Sequence, residues 1–128
     1  MTSASRQAVR KRARDRCEYC HLHQRDIPFL KHQIEHVIPR QHQGGDDLGN
    51  LALAFYRCNK FKGPNLSAFD PRTGKIVRLF NPRRQRWADH FSMRGVLILG
   101  RTSIGRATVE LLQMNVAKRQ GLRREIGG

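Results

Sequence analysis

The residues best suited to chemistry are a carboxylate and an imidazole that stand side by side, Glu35 and His36. Glu35 is the only acidic residue between Asp26 and Asp46. Carboxylate oxygens are ligands that Mg²⁺ prefers, and a neutral histidine is able to take a proton from an attacking water. The pair therefore predicts metal-assisted hydrolysis; the simplest alternative is an exposed glutamate next to a half-buried histidine.

Two asparagines and a lysine follow this pair at short intervals. Asn50 lies fourteen positions after His36, Asn59 lies nine positions after Asn50, and Lys62 follows. An asparagine side chain both donates and accepts hydrogen bonds, so the spacing leaves open whether Asn50 binds a cation or pins a loop. Because magnesium keeps several waters, one carboxylate and one amide oxygen make a minimal site. Such a site would stabilise the leaving oxygen during hydrolysis of a phosphodiester.

The three cysteines, Cys17, Cys20 and Cys58, cannot all pair within one chain. An odd count that includes a Cys-x-x-Cys favours metal binding in a reducing compartment over a disulfide framework. The longest apolar runs are far shorter than a bilayer span, and the first residues have no apolar stretch typical of a signal peptide. We therefore expect a cytoplasmic protein without a membrane segment.

The charge balance points to a polyanionic partner. Lysine and arginine number 25 against 10 acidic residues, which gives a net charge of +15. Phosphate contacts and counterion release favour such a surface on nucleic acid, whereas acidic lipid is the rival partner. Arginine outnumbers lysine, and its planar fork suits phosphate particularly well. Nucleic acid is therefore the expected partner.

Short helices and strands are predicted to position these residues, which indicates an α+β fold. Residues 4–16 predict a basic helix, 29–38 a strand closed by Pro39, 48–54 a turn leading into a second strand, and 58–63 a short helix. The basic side chains expected to face outward from the first helix are Arg6, Arg10, Lys11, Arg12 and Arg14.

The second half of the chain predicts strands at 75–80 and 96–99 and a helical turn near Trp87. Thr102 or Ser103 is expected to cap a further helix that extends to Met114. Residues 118–128 are expected to form a loosely held basic tail. Because no Gly-, Ser- or Pro-rich linker interrupts the sequence, the prediction is a single domain over 1–128.

Taken in order, these motifs resemble the HNH endonuclease family. The resemblance is carried by Cys17-x-x-Cys20, by 34–40 (IEHVIPR), by Gly49-Asn50-Leu51 and by Cys58-Asn59-x-x-Lys62-Gly63. It implies a ββα-metal core at about 15–64, after a basic N-terminal helix and before a strand and helix extension at about 65–117. The asparagine at position 59 resembles the subtype in which asparagine replaces the last histidine of the motif.

The resemblance also implies a role for each matching residue. Glu35 and Asn59 correspond to metal ligands, His36 to the general base, Asn50 to the residue that holds the catalytic loop, and Lys62 to a phosphate contact. The implied activity is hydrolysis of double-stranded DNA with one Mg²⁺ or Mn²⁺; the alternative is a nucleic-acid-binding module with weak or no catalysis. The residues expected at the nucleic acid are Lys62, Arg40, Arg83, Arg84 and Arg86.

One position departs from the pattern of many relatives, which carry a second Cys-x-x-Cys. Here Phe55 stands where its first cysteine would be, so three thiolates remain for a structural Zn²⁺ that usually has four protein ligands. His21 or His23 would have to complete that site. The other alternative, which we favour, is a metal-free cluster in which Phe55 is buried beside the reduced Cys17, Cys20 and Cys58.

Overall fold

The first helix packs across the strands that follow it. The computed structural model describes residues 1–127, and in it α1 spans Ser3–Ala13. The Thr2 hydroxyl oxygen accepts a hydrogen bond from the Ser5 amide at 3.0 Å, which caps the helix. Val9 is fully buried against Leu51 and Leu53, so the thin apolar stripe of this helix suffices to hold it on the core.

Two antiparallel strands and a helix form the part of the fold that carries the motif. Strand β1 (Gln33–His36) pairs with β2 (Leu51–Ala54), with His36 opposite Leu51. Helix α2 (Tyr56–Lys62) begins two residues after β2. β1 is much shorter than the strand predicted over 29–38.

The segments that precede β1 and β2 form turns. Residues 29–31 lie outside β1, and Phe29 is 95% exposed. The Gln24 side chain accepts a hydrogen bond from the His32 amide at 2.6 Å, which fixes the loop before β1 in a folded turn. The residues Leu48–Asn50 form a 3-10 turn that leads into β2, which confirms the turn and strand predicted over 48–54.

The extension adds two hairpins and three helices among the described residues. Strands β3 (Ser67–Phe69) and β4 (Ile76–Arg78) form one antiparallel pair, and β5 (Phe91–Arg94) and β6 (Leu97–Gly100) form another. Helix α3 (Trp87–His90) leads into β5. Thr102 caps α4 (Ser103–Leu111), because its hydroxyl oxygen accepts a hydrogen bond from the Gly105 amide at 3.1 Å. This α+β architecture agrees with the predicted fold class.

The C-terminal segment differs from the loosely held tail that we predicted. Residues Ala117–Gly127 form helix α5, and Arg119 within it is buried. Arg123 donates hydrogen bonds to the carbonyls of Val96 at 2.6 Å and Met114 at 2.7 Å. The prediction of a loosely held tail is therefore wrong, because Arg119 and Arg123 bind backbone carbonyls and fasten the helix to the core.

A cluster of aromatic side chains joins the part of the fold that contains β1, β2 and α2 to the extension. Phe80 and Phe91 pack edge to face with ring centroids 5.1 Å apart, and Tyr19 contacts Phe80 in the same manner at 6.3 Å. The Trp87 ring nitrogen donates to the carbonyl of Tyr19 at 2.7 Å.

Within residues 1–127, every helix is too short or too polar to cross a bilayer.

Candidate active site

The side chains of Glu35 and His36 point to opposite faces of β1, because successive residues of a strand alternate between its two faces. Glu35 faces inward and is 4% exposed, while His36 is half-buried at the last position of the strand. Both residues nevertheless line one cleft of about 240 Å³, together with Asn59 and Arg40. The structure thus brings together the residues proposed for metal binding and for proton transfer.

The Glu35 carboxylate is held from two sides. The Tyr19 hydroxyl donates to one oxygen, and the Lys62 ammonium lies 3.3 Å from the other. Burial raises the pKa of Glu35, and the neighbouring Lys62 charge acts in the opposite direction. A carboxylate offers about four lone-pair sites, so these two contacts use part of its capacity to accept.

Lys62 is placed differently from what a phosphate contact requires. Its side chain is 2% exposed, and its ammonium donates to the carbonyl of Val37 at 3.0 Å. A buried ammonium needs an anion because leaving water is costly for a charge, and Glu35 supplies that anion. Lys62 therefore joins α2 to the end of β1 and is not free to contact nucleic acid in this arrangement.

A residue that the sequence analysis missed holds the His36 ring. The Nε2 atom of His36 lies 2.6 Å from a carboxylate oxygen of Asp46, and Arg40 donates to the same oxygen at 3.0 Å. These two contacts lower the pKa of Asp46 to about 2. An ionised carboxylate only accepts hydrogen bonds, so a neutral His36 carries its proton on Nε2 and leaves Nδ1 to accept one.

Asn50 pins the loop that carries Asp46. Its side-chain oxygen accepts from the Ile38 amide at 2.8 Å, and its side-chain nitrogen donates to the carbonyls of Ile38 at 3.0 Å and Gly45 at 2.9 Å. A Cβ at Gly44 would lie 1.6 Å from the Ile38 carbonyl oxygen, so only glycine fits this close approach. Of the two roles left open by the spacing, the contacts of Asn50 are those of a loop-pinning residue.

Asn59 offers a free oxygen to the cleft. Its side-chain nitrogen donates to the Gln33 amide oxygen at 2.6 Å, which orients the group. Among the residues described, its own amide oxygen accepts no hydrogen bond. The Glu35 carboxylate and the Asn59 amide offer hard oxygen atoms, which are the ligands that Mg²⁺ or Mn²⁺ prefers.

The cysteines form a second, separate cluster. The sulfur atoms of Cys17, Cys20 and Cys58 lie within 4.8 Å of one another, and all three residues are buried. Phe55 is 2% exposed in the same cluster, as we predicted. Neither predicted fourth ligand joins them: His21 stacks on Trp87, and His23 accepts a hydrogen bond from the Arg25 amide.

The basic residues predicted at the nucleic acid divide into two groups. Arg83 is half-buried and donates to Glu18, so it ties the extension to the core. Arg84 and Arg86 are exposed, and Arg40 is exposed beside the cleft. The His90 ring hydrogen-bonds Thr102 at 2.7 Å and supports the start of α4.

Comparison with known proteins identifies one family. Residues 17–65 match the sequence model of the HNH endonuclease family. This segment contains Glu35, His36, Asn50 and Asn59, and it covers β1, β2 and α2. No curated protein and no solved structure matches the chain.

Proposed function

We propose that this protein hydrolyses phosphodiester bonds of double-stranded DNA with one Mg²⁺ or Mn²⁺ ion, because residues 17–65 match the model of the HNH endonuclease family. The observation that carries the proposal is the shared cleft of Glu35, His36 and Asn59, with His36 held by Asp46. The net charge of +15 supports a polyanionic substrate.

In this mechanism, His36 acts as the general base. Its Nε2 proton is directed at Asp46, so Nδ1 is the atom that accepts the proton of the attacking water. The water oxygen forms a bond to phosphorus, the bond from phosphorus to the 3′ oxygen breaks, and that oxygen takes a proton from solvent. The products are a 5′-phosphate and a 3′-hydroxyl end.

The remaining residues prepare the site for this step. Glu35 and Asn59 would hold the divalent ion, which when bound neutralises the charge that gathers on phosphorus and on the leaving oxygen. Asn50 keeps the loop of Asp46 in place, and Lys62, whose ammonium lies 3.3 Å from the buried Glu35 carboxylate, orients that carboxylate. Arg40 is exposed at the rim of the cleft, where it is available to a backbone phosphate.

One observation favours a second candidate, a nucleic-acid-binding module with weak or no catalysis. Both Glu35 oxygens already have partners, Tyr19 and Lys62, and the carboxylate is almost fully buried. If these contacts persist when DNA is bound, the carboxylate is not offered to an ion. The two candidates differ in one measurable property, namely cleavage that depends on a divalent metal.

The deciding experiment is cleavage of supercoiled plasmid by the purified protein with Mg²⁺, with Mn²⁺ and with EDTA. We expect nicked or linear product with either ion and none with EDTA. Glu35→Gln keeps the shape of the side chain, and Asn59→Ala removes the free amide oxygen; each should raise the Mg²⁺ concentration that gives half-maximal activity. Gln41→Ala, at an exposed position of the neighbouring turn, is the control.

The results separate the candidates cleanly. Undiminished cleavage in EDTA by metal-free protein would exclude the proposed mechanism. DNA binding without cleavage under any of the three conditions would establish the second candidate. Ends that carry a 3′-phosphate would contradict the proposed direction of bond breaking.

A further inference from the structure

One face of the hairpin formed by β3 and β4 is left uncovered by the rest of the described chain. Helix α4 packs on this hairpin, and Ala68 and Val77 at the centres of the two strands are half-buried. The alternate positions point the other way, where Phe69 is 64% exposed and Ile76 is 67% exposed. These two residues lie directly opposite each other across the strands, so they form one exposed apolar pair next to the turn.

The turn that joins the two strands is fixed by a buried carboxylate. Asp70 is fully buried, and Arg106 of α4 donates two hydrogen bonds to its oxygens, at 3.0 and 2.8 Å. The same carboxylate accepts from the Arg72 amide at 3.0 Å and from the Thr73 hydroxyl at 3.1 Å. Gly74 completes the turn at a φ of 74°, a conformation that favours glycine. The apolar pair is thus held in one arrangement before any partner binds, which lowers the entropy cost of binding.

The exposed charges around the apolar pair are all positive. Arg72 and Lys75 in the turn and Arg78 in β4 are exposed. The one acidic residue of the hairpin is Asp70, whose charge Arg106 already neutralises. A second copy of this chain would bring an equally basic face against this one, and like charges repel. The charges therefore favour a polyanion that also offers apolar surface, which describes the phosphates and stacked bases of nucleic acid.

The hairpin begins at the rim of the candidate active site. Pro64 lines that cleft, and the carbonyl of Leu66 accepts the first hydrogen bond of the hairpin, from the Leu79 amide at 3.0 Å. Phe69 follows Pro64 by five residues, which span at most about 18 Å when extended. One turn of B-DNA is about 34 Å long, so a duplex in the cleft is able to contact the hairpin within about half a turn. This continuity with the cleft favours DNA over an acidic lipid surface.

We propose that Phe69 and Ile76 form an apolar wedge that enters the minor groove of duplex DNA and bends the duplex at a base step. The exposed cations of the hairpin would contact the flanking phosphates. Neither wedge side chain is able to hydrogen-bond the base edges displayed in the major groove, whereas both are of the kinds that minor-groove proteins insert at a base step. Such an insertion kinks the duplex by about 20–90°. This inference rests on the proposed action on DNA and adds a second contact to it.

The test measures bending of uncut DNA by the whole protein in EDTA, so it does not depend on cleavage. A short duplex with a fluorescent donor and acceptor at its two ends reports bending as a rise in energy transfer. We expect the parent protein to raise the transfer and Phe69→Ser to lose most of that rise. Phe29→Ser is the matched control, because Phe29 is 95% exposed in the loop before β1 and should leave the bend unchanged. Equal bending by the parent and by Phe69→Ser would overturn the proposal.

Affinity measurements separate the wedge from the cations around it. Phe69→Ser should weaken binding about 10-fold, as expected for the loss of aromatic stacking on a base. The slope of log affinity against log salt concentration should stay the same, because no charge is removed. Arg78→Gln should instead reduce the steepness of that slope by about 0.9, the contribution of one phosphate. A fall in the slope of Phe69→Ser equal to that of Arg78→Gln would contradict an apolar contact.

A second variant keeps the test decisive if Phe69→Ser does not fold. Phe69→Trp keeps a large flat side chain, so it should still bend the duplex, and its added tryptophan emission should be quenched by the bases. A folded Phe69→Trp without quenching would refute insertion. Vesicles of anionic phospholipid and sedimentation without DNA test the other occupants. Vesicle binding or dimer formation that Phe69→Ser abolishes, with DNA bending unchanged, would assign the face to lipid or to a second copy and refute the wedge.

Failure of the wedge and failure of the proposed function give different results. Plasmid cleavage by the parent, together with equal DNA bending by Phe69→Ser, would leave the nuclease in place and exclude the wedge. Bending that depends on Phe69, in a protein that cleaves no DNA with Mg²⁺ or Mn²⁺, would support the wedge and exclude the nuclease.

Discussion

Individual side chains in the cleft gain their properties from their neighbours. His36 would be an ordinary half-exposed histidine if Asp46 did not orient its ring, and the Glu35 carboxylate is stabilised in the interior by Lys62. Asp46, in turn, is kept ionised by His36 and Arg40, which lower its pKa to about 2. Each of these contacts makes a separate prediction about activity.

Removing the imidazole should abolish most cleavage while binding survives. A positioned general base contributes about 10²–10⁴-fold to the rate, so we expect His36→Ala to lose that factor in single-turnover cleavage of plasmid. DNA affinity, measured by fluorescence anisotropy, should stay close to that of the parent because many basic side chains provide it. His42→Ala, on the exposed 3-10 turn nearby, is the control. Cleavage by His36→Ala at the parental rate would eliminate His36 as the base.

Asp46 is a positioning residue, and its effect should appear in the pH profile. Its carboxylate stays ionised until the pH falls towards about 2, so the bond to His36 persists over the whole assay range. We expect Asp46→Asn to cleave more slowly at every pH in that range, because the His36 ring loses the carboxylate that orients it. The Mg²⁺ requirement should not change. Asp47→Asn is the adjacent exposed control, and identical profiles for the two variants would argue against this role.

At the scale of secondary structure, a few contacts decide how β1, its following loop and α2 sit together. Asn50 ties the loop to the end of β1 through Ile38, and Lys62 reaches from the last turn of α2 to Glu35 and to Val37. All four residues of β2 are buried, and these polar contacts of buried side chains add to that apolar packing. The stability of the motif should therefore be sensitive to the loss of a single charge.

Replacing the buried lysine should destabilise the protein strongly. In Lys62→Met the Glu35 carboxylate would remain buried without its cation, which typically costs about 3–5 kcal/mol. The free energy of unfolding, measured with urea, should fall by that amount. Lys60→Met lies on the exposed side of the same helix and should change it little. Equal stability of the two variants would mean that Glu35 does not depend on Lys62.

On the scale of the whole molecule, the excess of basic residues serves two purposes. Some arginines bind backbone carbonyls within the fold: Arg10 donates to His32 at 2.8 Å and Arg12 to Leu51 at 2.6 Å, although we predicted that both face outward. Others, such as Arg84 and Arg86, remain exposed. The net charge therefore predicts attraction to nucleic acid, whereas the contacts within the fold decide which basic residues remain exposed to bind it.

Binding should depend strongly on salt and only weakly on sequence. Each phosphate neutralised on duplex DNA contributes about −0.9 to the slope of log affinity against log salt concentration. If Arg84 contacts a phosphate, Arg84→Gln should reduce the steepness by about that amount while the melting temperature is preserved. Arg83→Gln should instead lower the melting temperature, because Arg83 pairs with Glu18. A slope that is flat in the parent protein would show that these charges do not face DNA.

The sequence by itself determined what depends on residue type and local spacing. Motifs within residues 17–65 and the helix before them predicted the match to the HNH endonuclease model and the α+β class. They also predicted the approximate positions of α1, β1, β2 and α2 and the burial of Phe55 beside the cysteines. The roles assigned to His36, Glu35 and Asn59 remain predictions. Local patterns carry this information because hydrophobic period, turn residues and ligand types are properties of neighbouring residues.

Only the tertiary structure decided which charges meet. Lys62 turns inward to Glu35, Asp46 reaches back ten residues to His36, and Arg119 crosses sixty-one positions to Cys58. The sequence does not distinguish a lysine or arginine that is surrounded by water from one that is buried beside an anion. The cost of burying its charge is offset only where the fold supplies the partner. The predicted loose tail became helix α5 for this reason, since its arginines find their partners in segments that are distant along the chain.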